Sequence, residues 1–398
     1  MNVGSVYGFP VRVGLFPVHL DKLLEEKRKA PPNRVKVEAL NTKCGGVNLR
    51  PFVDSTGMFL RILGVILIGL SAWAFSAIRP PAPKICGSVG GPPITAPRIT
   101  LRDGRHLAYK EYGVSGTVAK YKIIYVHGFS NCRLNAAVAV FPSPGFLEEL
   151  GVYVVSFDKP GYGESDPHPK QIVESLALDI EELGDQLGLG PKFYVIGLSM
   201  GGQAVWGCLK YIPHRLAGAS LLAPVVNYWW PSFPANLSNE VFSSQLPQDQ
   251  WTQWVAHHLP WLTYWWNTQK FFPSLSILAG RRDIYSSQDI EIIRTSARPV
   301  DRGYVSQQGH FESFHRALMI GFGKWEFDPM LLENIFPKNE GSVHLWQGDE
   351  DKLVPVKLQR YIAQKLPWIH YHELAGAGHI FAFTTKISEE IVRSLLLQ

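Results

Sequence analysis

The sequence predicts an α/β protein, a mostly parallel sheet with helices on both faces, broken late in the chain by an inserted segment. Two observations carry that prediction. From residue 99 onward, apolar runs of strand length alternate with longer stretches whose apolar residues recur at helical spacing. The composition, 46% hydrophobic and 12% aromatic over 398 residues, supplies a large core and excludes disorder throughout. Charge narrows the function class. Residues 1–61 hold ten basic and five acidic side chains, leaving 29 of each sign in the remainder. The main body is therefore neutral and lacks the clustered positive charge of a nucleic-acid surface. Cys44, Cys86, Cys132 and Cys208 are too widely spaced for a zinc pair or a dense disulfide framework.

Taken in order, residues 1–57 are expected to form a poorly ordered N-terminal extension. Met58 heads a short basic-then-apolar run, which makes that extension an optional part of the chain. Residues 58–79 are expected to form a transmembrane or signal-anchor helix. Within them "ILGVILIGLSAWAFSAI" (62–78) is uncharged between Arg61 and Arg79 and would rise roughly 26 Å as a helix, close to a bilayer core. Competing readings are a buried soluble helix and a signal peptide cleaved near Ala72–Ala74. A span makes the protein single-pass, in the endomembrane system or endoplasmic reticulum. The N-terminal basic excess favours a cytosolic N-terminus and a lumenal main domain, where Asn236 of "NLS" is a possible glycosylation acceptor. Residues 80–98 follow as a Pro- and Gly-rich linker.

"RITLRDGRHLAYKEYG" (98–113) has the pattern of a hairpin around Asp103 and Gly104. Strands are expected at 122–126, 152–157, 193–197, 219–223, 342–347 and 369–374, and a helix over 172–187. The alternation stops between 225 and 335. Residues 229–266 hold seven of the twelve tryptophans there, either lining a pocket or packing the insertion. The core is thus read as 99–224 plus 336–398.

Chemistry enters at "YVIGLSMGGQAVW" (194–206), where Gly197, Leu198, Ser199, Met200 and Gly201 form G-x-S-x-G between a strand and a helix. That spacing suits a nucleophile elbow, whose sharp turn lifts the serine hydroxyl out of the core while the glycines avoid clashes. A serine needs a base, and the base needs an orienting group. His379, in "AGAGHIF" after the last strand, is the best-placed base. The other histidines lie within strands, in the insertion or on the surface. Asp349 and Asp351, in "GDEDKLVP" after the preceding strand, compete to orient it.

Residues 99–398 resemble the α/β-hydrolase fold in four motifs: the elbow, "HGFS" (127–130), "DKPGYGESD" (158–166) and the loop G-x-x-D-x-x-V-P. The last pattern aligns Gly348, Asp351, Val354 and Pro355, and so selects Asp351 over Asp349. The resemblance implies an oxyanion hole from the backbone N–H groups of Phe129 and Met200, a pocket-shaping role for 158–166, and a helical cap over 225–335. It extends to plant members in which a membrane or signal segment precedes R-P-P-x-P-K-I-C-G, here 79–87. The reading is a serine carboxylic ester hydrolase working through a Ser199–His379–Asp351 triad and an acyl-enzyme on a small-molecule or lipid-like substrate. Acyl transfer on the same triad and a capped-pocket receptor are the alternatives. No cofactor, nucleotide or metal is implied, since P-loop, His-Glu-x-x-His and zinc spacings are missing. Ser199 stands where epoxide hydrolases and haloalkane dehalogenases of this fold carry aspartate.

Overall fold

In the computed structural model, the described residues are 55–273, 275–295 and 301–397. The N-terminal extension expected over 1–57 lies outside them up to residue 54. Eight strands form one sheet: β1 (Arg98–Thr100), β2 (His106–Gly113), β3 (Tyr121–Val126), β4 (Val152–Phe157), β5 (Phe193–Leu198), β6 (Leu216–Leu222), β7 (Val343–Gly348) and β8 (His370–Leu374). Their order is β1-β2-β4-β3-β5-β6-β7-β8. β1 and β2 pair antiparallel with each other, as do β2 and β4, and every other pairing is parallel.

Strand composition explains the layering. All six residues of β4, "VYVVSF", are buried, as a parallel strand covered on both faces requires. Successive residues divide between the two faces. Ile124, Val155 and Val195 join a core with Leu176, Ile180 and Trp206. Ile123, Val154 and Ile196 join a second core with Trp346, Phe381 and Ile391. The first core rests on the helices Val173–Gln186 and Gly201–Tyr211, and the second on Thr385–Leu396. β6 begins three residues before the apolar run at 219 because the short turn Pro213–Arg215 delivers the chain directly into the sheet.

β3 has β4 on one side and β5 on the other, so the strand order reverses there. A crevice opens beyond the carboxyl ends of β3 and β5, the usual ligand position in an open α/β sheet. Among the described residues, no strand lies between β6 and β7. That stretch carries helices, including Pro247–His258, Thr263–Thr268, Ser287–Thr295 and Arg316–Phe322.

Residues 80–97 form neither helix nor strand, and they are tied down at two points. The Lys84 amide donates to the Gln308 carbonyl at 2.9 Å. The Thr95 and Ala96 amides donate to the Glu164 carboxylate at 2.7 and 3.0 Å. Upstream, Ser55–Ile78 is a helix of 24 residues, and its Gly57–Ile78 portion, with a mean hydropathy of 2.1, is long and apolar enough to cross a membrane.

Candidate active site

The loops after β3, β5, β7 and β8 converge at the crevice. Ser199 directly follows β5 with φ of +54°, in the left-handed region that a side-chain-bearing residue seldom occupies. Its neighbours make that turn possible. A Cβ on Gly197 would sit 2.3 Å from the Gly201 carbonyl oxygen, and one on Gly201 would sit 2.2 Å from the Val126 carbonyl oxygen. The glycines are thus required by close backbone approach, and the strain sits on the serine.

Ser199 Oγ lies 3.0 Å from His379 Nε2, and His379 Nδ1 lies 2.8 Å from Asp351 Oδ2. All three residues are buried. Asp351 is held from several sides. Its Oδ1 accepts the amides of Leu353 and Val354 at 2.9 and 2.8 Å, and its Oδ2 accepts Gln347 Nε2 at 3.0 Å. Asp349 points elsewhere, accepting the Gly376 amide at 2.7 Å, and so ties the loop after β7 to the loop after β8.

The "HGFS" loop lies against the elbow. A Cβ on Gly128 would come within 3.2 Å of both the Leu198 carbonyl oxygen and Ser199 Cβ. His127 fixes the loop rather than facing the crevice. Its Nε2 accepts the Lys159 amide at 3.1 Å, which leaves the proton on Nδ1 to donate to the Gly128 carbonyl at 2.8 Å. Burial, followed by the Lys159 charge, keeps this imidazole well below its ordinary pKa and therefore neutral. Among the described residues, neither the Phe129 nor the Met200 amide donates to another protein group. Both residues border the cleft that holds Ser199 and His379.

The sequence model of the alpha/beta hydrolase fold family matches residues 121–385. The chain belongs to that family. Solved structures similar to it include an esterase from Thermogutta terrifontis at 19% identity, covering 76% of this chain and 97% of that one with a TM-score of 0.49. A carboxylesterase from Nitrososphaera gargenis matches at 16%, covering 75% and 97% with a TM-score of 0.48. An esterase from a Rhodococcus species matches at 15%, covering 75% and 96%, also with a TM-score of 0.48.

Within this alpha/beta hydrolase fold, two clefts meet at Ser199 and His379. One, of about 620 Å³, is walled mainly by apolar side chains such as Val226, Tyr228, Leu275, Leu318 and Phe322. The other, of about 770 Å³, is lined by Gly128, Asn131, Tyr285, Arg302 and Phe383, among others. The tryptophans of 229–266 line neither. The 158–166 loop also stays out of both. Asp158 and Glu164 instead form a buried ion cluster with Arg133, just past the "HGFS" loop. Gly163 is needed there, because a Cβ would meet the Asp158 carboxylate at 2.2 Å and φ is +48°.

Asp289 is a site residue that the sequence pattern did not single out. It is fully buried and accepts the backbone amides of His379 and Ile380 at 3.0 and 2.9 Å. Gly378 permits this, since a Cβ there would lie 2.1 Å from the Asp289 carboxylate. The visible signal was local only. Ser286 and Asp289 exchange reciprocal side-chain and backbone bonds at the start of the helix Ser287–Thr295, a capping box. Its second task depends on the insertion folding back onto the loop after β8, which no local pattern encodes. Asp289→Ala should therefore loosen the imidazole without touching substrate. The expected result is a loss of about 10- to 100-fold in kcat/KM for a p-nitrophenyl ester, with the acid limb of the pH profile shifted downward. Unchanged kinetics would remove Asp289 from the positioning shell.

Proposed function

We propose that the chain is a serine hydrolase that cleaves carboxylic esters through an acyl-enzyme, with Ser199 as nucleophile, His379 as base and Asp351 as its orienting acid. The observation that carries this reading is the unbroken hydrogen-bonded chain from Ser199 Oγ through both imidazole nitrogens to Asp351, placed where two clefts meet. With Nδ1–H donating to the carboxylate, Nε2 is left as the acceptor facing the hydroxyl. His379 takes the proton as Oγ attacks the ester carbonyl, then passes it to the departing alcohol. Water repeats the sequence on the acyl-enzyme and regenerates Ser199. The Phe129 and Met200 amides would bind the oxyanion of each tetrahedral intermediate, worth roughly 3 kcal/mol for one such donor. The apolar cleft suits the acyl group, which makes a lipid-like ester a fitting substrate. The Gly57–Ile78 helix would hold the enzyme to a membrane as a single span.

Burial lowers the His379 pKa, but the charge and hydrogen bond of Asp351, with a further contribution from Asp289, outweigh it. The net value is raised above the ordinary 6.5. Only the neutral imidazole can accept the serine proton, so activity is lost as pH falls through that raised value. A fluorophosphonate probe followed by peptide mapping tests both points. The expected outcome is covalent labelling of Ser199, with a rate that falls about tenfold per pH unit below a midpoint above 6.5. Labelling elsewhere, or none at any pH, would overturn the assignment.

A further inference from the structure

The insertion presents an aromatic face that the ester chemistry does not use. Trp251 is 54% exposed, Trp254 36%, Trp261 61%, Phe271 81% and Phe272 54%. Three of these rings are joined through Trp266. Trp254 contacts Trp251 with ring centroids 5.8 Å apart, Trp251 contacts Trp266 at 5.9 Å, and Trp266 stacks on Phe272 at 5.5 Å. Trp266 is itself fixed, its indole N–H donating to Thr252 Oγ1 at 3.2 Å. Residues 250–273 contain no acidic side chain and a single Lys or Arg, Lys270. A contiguous exposed aromatic surface of this kind marks a contact site. Tryptophan with one wet and one apolar side, in a stretch that holds no carboxylate and one lysine, suits the headgroup region of a bilayer.

The chain's own connectivity limits which surface can face the membrane. The helix capable of spanning ends at Ile78, and the Lys84 amide is already bonded to the Gln308 carbonyl. Six residues cannot reach more than about 20 Å. Three residues past Gln308, Phe311 meets Tyr264 with ring centroids 6.1 Å apart, and Tyr264 belongs to the same short helix as Trp265 and Trp266. The tether point is therefore linked, through Phe311 and Tyr264, to the helix that carries Trp266. A span ending at Ile78 would bring this side of the domain to the lipid.

We propose that the face formed by Trp251, Trp254, Trp261, Phe271 and Phe272 is a bilayer-docking surface, seated among the headgroups of the membrane that the Gly57–Ile78 helix crosses. The proposal rests on that helix being a span and is independent of the ester chemistry. It also gives the apolar cleft a neighbour. The helix Pro247–His258 turns Trp251 and Trp254 outward, while its Asp249 and Gln253 line the cleft that holds Ser199. Docking thus sets one wall of that cleft beside the lipid.

The test uses the full chain carrying Trp73→Phe, which removes the tryptophan within the span, reconstituted at one chain per nanodisc so that a second copy cannot cover the face. Discs are made of phosphatidylcholine or of the same lipid brominated near the top of its acyl chains, which quenches only tryptophans in contact with it. Elution with the discs reads the span by itself. The expected result is loss of roughly a fifth or more of the emission in brominated discs, given three patch tryptophans among the eleven that remain. Adding Trp251→Phe, Trp254→Phe and Trp261→Phe should remove more than half of that quenching. Disc-bound chain without quenching would overturn the proposal, because the face would then be bare or covered by protein. Quenching that largely survives the triple replacement would also overturn it, because the lipid would be touching another surface.

Discussion

Replacing Ser199 by alanine should lower turnover of a p-nitrophenyl ester by more than about 1000-fold, and His379→Ala should cost nearly as much. The reason is geometric. Oγ has one base within reach, Nε2 at 3.0 Å, and that nitrogen has no other hydroxyl partner in the described residues. Remove either member and the other has nothing to exchange a proton with. The double mutant should therefore fall hardly further than the worse single mutant, because residues acting as a unit are strongly non-additive. Residual activity above background would come from the Phe129 and Met200 amides and from substrate binding. The Ser199→Ala protein should remain folded, since losing one hydroxyl disturbs neither Gly197 nor Gly201, whose close contacts define the turn. Additive losses in the double mutant would mean that the two residues do not share a step.

The sheet was legible because its signal is periodic and local. β4 and β5 are short apolar runs with turn residues at their ends, and burial on both faces is what such runs require. The positions of Ser199, His379 and Asp351 could be nominated for a related reason, since each lies within five residues past a strand end and strand ends in a parallel sheet share one edge. What pattern could not reach are contacts made across the insertion. Asp289 holds the His379 amide from 90 positions away in sequence, through a fold-back that leaves no periodic trace. The tryptophans of 229–266 show the same limit. Their number was plain, but clustered aromatics read alike whether they wall a pocket, fill a core or face outward. Only exposure separates the buried Trp230 from Trp251 and Trp261. The linker is a third case. Its prolines exclude helix and central strand, yet nothing in "PPAPKICGSVGGPPITAP" indicates that Glu164 takes the Thr95 and Ala96 amides.

Asp351→Asn should reduce kcat by on the order of 10³- to 10⁴-fold, while Asp349→Asn should change it by no more than about threefold. The difference follows from what each carboxylate accepts. Oδ1 of Asp351 is committed to the Leu353 and Val354 amides, so an asparagine there must keep its carbonyl oxygen on that side. Its NH₂ group then occupies the Oδ2 position, 2.8 Å from His379 Nδ1. Two donors cannot share that contact, so the imidazole must move its proton to Nε2, the nitrogen that faces Ser199 Oγ. The base is then protonated where it should accept, and the serine keeps its proton. Asp349 makes no such demand. Among the described residues its Oδ1 accepts only the Gly376 amide, which an asparagine oxygen accepts equally well, and the tie between the two loops survives. Steady-state kinetics of the two variants, measured above the midpoint of the acid limb, separates these outcomes. A larger loss for Asp349→Asn would transfer the orienting role to that residue and require the loop after β7 to rearrange during the reaction.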